Sequence, residues 1–225
     1  MKTLSRPAWQ RVLPFVAFMA VLALRGYAPA DDRWGFDTRW LYALTLPLVG
    51  GLLWNWRRDY TELSARLRPT WTDAAAATAV GLGVCALWVW LDAPWMQLGS
   101  PSASFVPVGA DGALLWPLIA VRAIGATLLV PVMEELFWRS YLLRWIENPH
   151  FEAVDPRHVG VKAVLLSTGC FMLAHPQWLA AIIAGLAYAG LYRYSGKLWT
   201  AVLAHAVTNG ALALWVVSSR QWQFW

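Results

Sequence analysis

Two adjacent glutamates, Glu134 and Glu135, lie inside an apolar stretch of a chain that otherwise keeps charge out of its apolar runs. A charged side chain at the centre of a bilayer costs roughly 2.5–3.5 kcal/mol on insertion scales, so such residues usually line a cavity where they take part in chemistry or transport. Other apolar segments carry an imidazole or an amide, and these residues are His175, His205 and Asn209. Carboxylates, imidazoles and an amide inside one membrane protein predict an active site.

The composition is that of a membrane protein. Of the 225 residues, 59% are hydrophobic and only 14% are charged, and the mean hydropathy is +0.45. A soluble domain carries about 25% charged residues, so we expect residues 1–225 to form a single integral membrane domain in a lipid bilayer. The net charge of +5 is spread over short loops without a basic helix or patch, which argues against a nucleic-acid partner.

Seven apolar segments approach the length that crosses a bilayer. Helix is the expected state, because backbone polar groups in lipid must be satisfied within the segment, and the runs are too long and too uniformly apolar for barrel strands. The sequence therefore predicts an all-α, polytopic transmembrane helix bundle with tryptophans near the helix ends, as in an aromatic belt. The predicted spans are residues 9–27, 39–56, 71–92, 113–147, 161–175, 177–194 and 197–217.

The placement of lysine and arginine orients the bundle. With the N-terminus in the cytoplasm, thirteen of these residues fall on the cytoplasmic side, four fall on the other side, and one, Arg122, lies inside a span. Cytoplasmic loops carry an excess of Lys and Arg, so we expect the N-terminus inside and the C-terminus outside. The short, compact chain is typical of a bacterial protein, which predicts the bacterial cytoplasmic (inner) membrane as its location.

The first thirty residues allow a second interpretation. Basic residues are followed by an apolar core and then by Ala28, Pro29 and Ala30, which is the pattern of a signal peptide. Arg25 and Pro29 disfavour cleavage at that point. Both a cleaved signal and a retained span stay open, and either outcome leaves the orientation of the later spans unchanged.

The candidate residues fall at a similar depth on three helices. At 1.5 Å per helical residue, Glu134 is about 20 Å from the cytoplasmic end of its span, His175 about 21 Å, Asn209 about 18 Å and His205 about 12 Å. Each of them needs a polar partner, and the others are the nearest candidates. We therefore expect them to share one hydrated pocket.

Helical spacing predicts how these residues pair. Glu135 and Arg139 are four residues apart, a spacing at which an acid followed by a base pairs well, and we expect them to support the site rather than react. His205 and Asn209 are also one turn apart, and their N–H groups suit either an oxyanion or hydrogen bonds between helices. Pro131 removes one helix hydrogen bond just before the glutamates, so we expect it to disturb the helix there.

The same residues carry a resemblance to a known family. Three motifs occur in order on separate apolar segments, EExxxR at 134–139, FxxxH at 171–175 and HxxxN at 205–209. In these motifs the chain resembles the CAAX-protease and bacteriocin-processing family of intramembrane endopeptidases, also called the type II CAAX prenyl endopeptidase family. The resemblance covers a core of about residues 113–217, while the first three spans are similar to the family only in being hydrophobic.

The resemblance implies a role for each residue. Glu134 matches the glutamate that activates water, with help from the histidine at His175. His205 and Asn209 match the pair assigned to the oxyanion hole. The matching supporting positions are Glu135 and Arg139. The resemblance implies no cofactor, although the residue types alone leave a Glu–His–His zinc site open.

The expected activity is that of a CAAX-type intramembrane endopeptidase, which hydrolyses a peptide bond of a membrane-associated protein or peptide in a cavity open toward the cytoplasm. Two other functions stay open. A non-catalytic peptide-binding or bacteriocin-immunity protein would use the same residues for binding. A transporter or proton relay would use the carboxylates for flux, although no internal repeat is visible. The resemblance selects neither a substrate nor an oligomeric state.

Overall fold

Seven α-helices make up the fold of the residues that the structure describes. The computed structural model describes residues 4–28, 32–99 and 105–225, and within these ranges it contains no β-strand, apart from an isolated bridge between Val108 and Leu114. The all-α prediction is confirmed, and each helix overlaps one of the seven predicted spans. The helices are α1 Arg6–Tyr27, α2 Thr45–Asn55, α3 Trp71–Trp90, α4 Trp116–Glu147, α5 Val161–Leu173, α6 Trp178–Ser195 and α7 Leu198–Ser219.

Among the described residues, four helices are long and apolar enough to cross a membrane, and these are α1, α3, α4 and α7. The 13 residues of α5 extend about 20 Å, which is less than the roughly 30 Å of a hydrocarbon core. Exposed tryptophans stand at both ends of α3, Trp71 and Trp90, and at the start of α4, Trp116, as in an aromatic belt. The chain is an integral membrane protein, whereas seven crossings and a cytoplasmic N-terminus stay predictions.

The first helix is an integral part of the bundle. It begins after Ser5, whose hydroxyl accepts a hydrogen bond from the amide of Ala8 at 3.4 Å, and it packs against α2 and α4. Two residues of the possible cleavage motif, Pro29 and Ala30, lie outside the described residues, as does Lys2 of the basic N-terminal segment.

A glycine sets the crossing of α3 and α7. A Cβ atom at Gly81 would lie 2.5 Å from the carbonyl oxygen of Ala204 and 2.8 Å from the Cβ of Val207. Small residues let the backbones of membrane helices approach closely. Because His205 follows Ala204 on α7, this crossing also sets the position of the His205 backbone relative to α3.

A buried ionic cluster joins α1 and α4 through the loop between α2 and α3. Arg11 on α1 donates two hydrogen bonds of 2.8 Å to the carboxylate of Glu62 in that loop. Ser140 on α4 donates to the same carboxylate, and Arg144 donates to the Ser140 hydroxyl at 2.8 Å. Burial alone would raise the pKa of Glu62, but the hydrogen bonds and charge of Arg11 outweigh it and hold that pKa below its ordinary value.

We predict that Gly81→Ala lowers the free energy of unfolding by about 1–3 kcal/mol, because the added methyl group overpacks the contact between α3 and α7. The thermal unfolding midpoint in detergent measures this loss. Gly83→Ala, on the same helix, is the matched control, since a Cβ atom at Gly83 meets nothing within 4 Å and alanine favours the helix. Equal midpoints for the two variants would contradict the role given to Gly81.

Candidate active site

The middle of α4 departs from regular α-helix where the two glutamates lie. Two π-helical stretches, Gly125–Leu129 and Leu136–Leu143, flank the short α-helical segment Val130–Glu135 that carries both glutamates. Pro131 lacks an N–H and its ring crowds the preceding turn, and a widened turn relieves that crowding. Pro131 therefore disturbs the helix, as expected from the sequence, and the disturbance is a π-helical turn.

The widened turn leaves a backbone carbonyl for Asn209. The amide of Val130 bonds to the carbonyl of Gly125 instead of that of Ala126, and Pro131, five residues after Ala126, has no hydrogen to donate. The Nδ2 atom of Asn209 on α7 donates to the Ala126 carbonyl oxygen at 2.8 Å. Asn209 thus supplies the donor that α4 lacks, and it keeps its second amide hydrogen and its side-chain oxygen for other contacts.

Glu135 is the charged centre of the contact between α4 and α7, and its exposed fraction is 0%. One carboxylate oxygen, Oε2, lies 3.2 Å from Nε of Arg139, one turn further along α4. The other, Oε1, lies 2.9 Å from Nδ1 of His205 on α7. The pairing of Glu135 with Arg139 that the spacing predicts is present. Two basic partners offset the cost of a buried carboxylate, which would be several kcal/mol if the charge were unpaired.

The His205 ring is held in place by neighbouring helices. It stacks on the ring of Tyr188 on α6, with centroids 5.1 Å apart and 18° between the planes. The Tyr188 hydroxyl donates to Thr208 at 2.7 Å, and the Thr208 hydroxyl lies 2.9 Å from the carbonyl oxygen of Gly81 on α3. Because Nδ1 of His205 faces a carboxylate, Nδ1 carries a proton and Nε2 is the nitrogen left for other contacts.

His175 lies in the turn after α5, and the prediction that it forms part of that helix is wrong. The helix ends at Leu173, and Pro176 disfavours helical geometry at the residue before it. Nδ1 of His175 lies 2.8 Å from the carbonyl oxygen of Phe171. A carbonyl only accepts, so Nδ1 carries the proton and Nε2 is an acceptor when the ring is neutral.

Glu134 carries an oxygen without a protein partner. Its exposed fraction is 7%, and Oε2 has no hydrogen-bond partner among the described residues. One residue corresponds to about 100° around a helix, which turns Glu134 away from the ion pair of Glu135 and toward a cavity that His175 also lines. Since buried polar atoms nearly always have a partner, this oxygen marks a position that can bind water or substrate.

One cavity of about 430 Å³ brings the predicted residues together. Glu135 and Arg139 are not among the described residues that line the cavity. They lie behind its wall, which is the position expected of supporting residues. Its wall includes all four residues expected to take part in the chemistry, which are Glu134, His175, His205 and Asn209. Carboxylate, imidazole and amide groups therefore share one space, where they can activate a water molecule and stabilise negative charge on an oxygen.

The cavity extends toward the end of the bundle opposite the basic loops. Its wall includes Asp92 and Leu98, which follow α3, and Pro176, which precedes α6. The loops rich in Lys and Arg follow α2, α4 and α6, and so lie at the other end. A cytoplasmic N-terminus would therefore make the cavity open away from the cytoplasm. The two sequence-based expectations, a cytoplasmic N-terminus and a cavity open to the cytoplasm, do not agree with each other.

The site residues do not form a metal-binding group. Across the described part of the chain, no three or more His, Cys, Asp and Glu side chains are grouped to hold a metal ion. The Nδ1 atoms of His175 and His205 contact the Phe171 carbonyl and the Glu135 carboxylate, which leaves the Nε2 atom of each ring for other contacts.

The fold and the cavity define an integral membrane protein with a buried polar site. Residues 116–211 match the family model described as type II CAAX prenyl endopeptidase Rce1-like. The match runs from the start of α4 into α7, includes all six predicted site residues and confirms the family resemblance over this segment. No curated protein and no solved structure matches the chain significantly.

Sequence reasoning missed several residues that hold the site together. The ring of Phe171 lies 4.5 Å from the guanidinium carbon of Arg139, which gives the phenylalanine of FxxxH a structural function. Tyr188 and Thr208 position His205, as described above. Tyr188 and Thr208 could have been found from the sequence as hydroxyl groups in apolar helices, because such groups usually form hydrogen bonds between helices.

We predict that Arg139→Met lowers the free energy of unfolding by about 3–5 kcal/mol, because it leaves the buried carboxylate of Glu135 with one basic partner fewer. The double variant Glu135→Gln, Arg139→Met removes both charges and should recover a large part of this loss. Thermal unfolding in detergent compares the two proteins. A double variant no more stable than Arg139→Met would contradict the explanation by charge pairing.

We also predict the side on which the cavity opens. With a cytoplasmic N-terminus, Leu98→Cys at the cavity wall should react with a membrane-impermeant maleimide in intact cells, while Arg66→Cys in the loop after α2 should react only after lysis. Both substitutions are made in a Cys170→Ser background, because Cys170 is exposed. The reverse labelling pattern would place the cavity on the cytoplasmic side and the N-terminus outside.

Proposed function

We propose that the chain is an intramembrane endopeptidase that hydrolyses a peptide bond in a membrane-associated protein or peptide. The observation that carries this proposal is the single cavity lined by Glu134, His175, His205 and Asn209. The family model, which is described as a prenyl endopeptidase, supports peptide hydrolysis as the reaction.

Glu134 acts as the general base. Its Oε2 has no partner in the described protein, and Nε2 of His175 is a second acceptor, because Nδ1 is bound to the Phe171 carbonyl. Water held by these two groups loses a proton to Glu134 as its oxygen attacks the scissile carbonyl carbon. Glu134 then returns the proton to the leaving nitrogen as the C–N bond breaks, so that water is the only other reactant.

His205 and Asn209 stabilise the oxyanion of the tetrahedral intermediate. Asn209 has one amide hydrogen left after its bond to Ala126. His205 donates through Nε2 when its ring carries both protons, and the Glu135 carboxylate beside Nδ1 compensates that positive charge. An oxyanion donor of this kind typically contributes about 2.7–4 kcal/mol to transition-state stabilisation.

Glu135 and Arg139 are positioning residues in this mechanism. They are buried behind the cavity wall, with exposed fractions of 0% and 2%. Glu135 orients the His205 ring through Nδ1, and Arg139 pairs with the other carboxylate oxygen of Glu135. In this arrangement Glu135 supports the site while the adjacent Glu134 reacts.

The proposed substrate presents an apolar segment to the cavity. The α1 side of the wall is apolar, and this surface consists of Phe15, Phe18, Met19 and Leu22. Apolar side chains can bury there, with a gain of about 25 cal/mol per Å² removed from water, while the peptide bond reaches Glu134. The cavity extends toward the end of the bundle opposite the basic loops. With a cytoplasmic N-terminus in a bacterial inner membrane, the substrate therefore approaches from the non-cytoplasmic side.

A peptide-binding or immunity protein without catalysis is the alternative. It would use the same cavity and the same apolar wall, but it has no need for the unpartnered carboxylate oxygen of Glu134. Cleavage of a peptide separates the two functions, because only the peptidase creates a new terminus.

Glu134→Gln should reduce peptide cleavage about 10²–10⁴-fold, because the amide cannot accept the proton from water. Mass spectrometry of peptide termini in membranes from cells that express either protein measures this loss and identifies the substrate. The unfolding midpoint of the variant should stay close to that of the parent, since the oxygen that changes makes no hydrogen bond to the described protein.

Glu152→Gln is the matched control, because Glu152 is an exposed carboxylate in the loop after α4. Full cleavage by the Glu134 variant would rule out the role of Glu134 as base. Loss of cleavage in phenanthroline, with recovery on addition of zinc, would overturn the metal-free mechanism.

A further inference from the structure

Arg122 and Tyr42 form a cationic region of the cavity that the proposed hydrolysis does not use. Both residues line the cavity. The guanidinium carbon of Arg122 lies 4.5 Å from the centre of the Tyr42 ring and 5.8 Å from that of Phe105. The guanidinium of Arg25 on α1 lies 5.0 Å from the same Phe105 ring. Two positive charges therefore meet around one aromatic side chain.

The contacts of Arg122 with the described residues leave its guanidinium incompletely hydrogen-bonded. Its Nε atom is buried and makes no hydrogen bond to the described residues. Contacts with two aromatic faces offset part of the cost of burying the guanidinium, but Arg25 adds a second charge of the same sign. A carboxylate bound here would receive two parallel hydrogen bonds from the guanidinium and would lower the electrostatic repulsion.

Tyr42 is a second unpartnered donor in this region. Its exposed fraction is 1%, and its hydroxyl has no hydrogen-bond partner among the described residues. A Cβ atom at Gly125 would lie 2.8 Å from that hydroxyl oxygen, so the glycine allows the hydroxyl to approach α4 at this point. Buried hydroxyls nearly always have a partner, and Tyr42 lines the cavity in which a ligand would lie.

We infer that Arg122 and Tyr42 bind a carboxylate of the substrate peptide, an inference that rests on the proposed function. Arg122 precedes Glu134 by twelve residues on α4, and Gly125 precedes it by nine. At 1.5 Å per residue these separations are about 18 Å and 14 Å. An extended peptide advances about 3.3 Å per residue. The bound carboxylate therefore lies about four or five residues from the bond that is cut.

Two sources of the carboxylate share this chemistry, the C-terminus of the peptide and the side chain of an aspartate or glutamate. Three fluorescent hydrophobic nonapeptides of otherwise identical sequence separate them. One peptide ends in a free carboxylate, one ends in a carboxamide, and one ends in a carboxamide but has glutamate as its last residue. Binding is measured by fluorescence anisotropy in phosphatidylcholine nanodiscs, with the full chain carrying Glu134→Gln so that no peptide is consumed.

We expect at least one peptide with a carboxylate to bind about tenfold or more tightly than the neutral peptide. Adding Arg122→Gln should reduce this preference to less than threefold, because the guanidinium is lost, without weakening the binding of the neutral peptide. Tyr42→Phe, which removes only the hydroxyl, should reduce the preference by a smaller factor. Arg66→Gln, which removes a positive charge from the exposed loop after α2, is the matched control and should leave the preference unchanged.

Equal affinity for the charged and neutral peptides would overturn the inference, as would an equal loss for all peptides on Arg122→Gln. A lipid phosphate is the competing ligand. If Arg122→Gln affected peptide binding only in nanodiscs that contain phosphatidylglycerol, the subsite would belong to a lipid headgroup and the inference would be wrong.

The experiment also separates this inference from the proposed function. Binding to the Glu134→Gln protein does not require cleavage, so a carboxylate preference that depends on Arg122 supports the subsite even if no peptide is ever cut. Conversely, if the wild-type protein cleaves the charged and neutral peptides equally well, the result supports the peptidase function and contradicts the carboxylate subsite. Where a charged peptide is cut, mass spectrometry should place the carboxylate four or five residues from the cut, and a different spacing would contradict the geometry.

Discussion

A fully buried carboxylate that is neutralised from two helices is the interaction on which the site depends. Glu135 contacts Arg139 on its own helix and His205 on α7, and the loss of either partner would leave this buried carboxylate with only one basic partner. The contact fixes the rotation of α4 relative to α7. Because Glu134 is the adjacent residue on the helix, the same rotation directs its carboxylate to the cavity and leaves one of its oxygens without a partner among the described residues.

The irregular turns of α4 are stabilised by contacts from outside the helix. In the first π-helical stretch, Asn209 donates to the Ala126 carbonyl, which Pro131 cannot satisfy. In the second stretch, Ser140 joins the buried pair of Arg11 and Glu62. Wide turns of this type are frequent at functional sites. Here they place a polar helix segment at a cavity wall while most backbone groups keep a hydrogen-bond partner.

The two ends of the bundle use charge in different ways. At the end with the basic loops, Arg11 and Glu62 form a buried ion pair, in which each charge offsets the free-energy cost of burying the other. Toward the other end, Arg122 and Glu134 line one cavity, and neither Arg122 Nε nor Glu134 Oε2 has a hydrogen-bond partner among the described residues. Paired charges are typical of structural contacts, and unpaired charges at a cavity are typical of sites that bind or react. The position of these two incompletely paired groups at one cavity supports locating the chemistry there.

The sequence alone determined where the helices lie and which polar residues had to be explained. Apolar runs predicted all seven helices because hydrophobicity is a local property, and the spacing of Glu135 and Arg139 predicted their contact because both are on one helix. The contact of His205 with Glu135, the position of His175 in a turn and the convergence of Arg122 with Tyr42 were decided only by tertiary structure. Each depends on the rotation and crossing of separate helices, which arise from packing between distant segments such as Gly81 and Ala204 and leave no periodic signal in the chain.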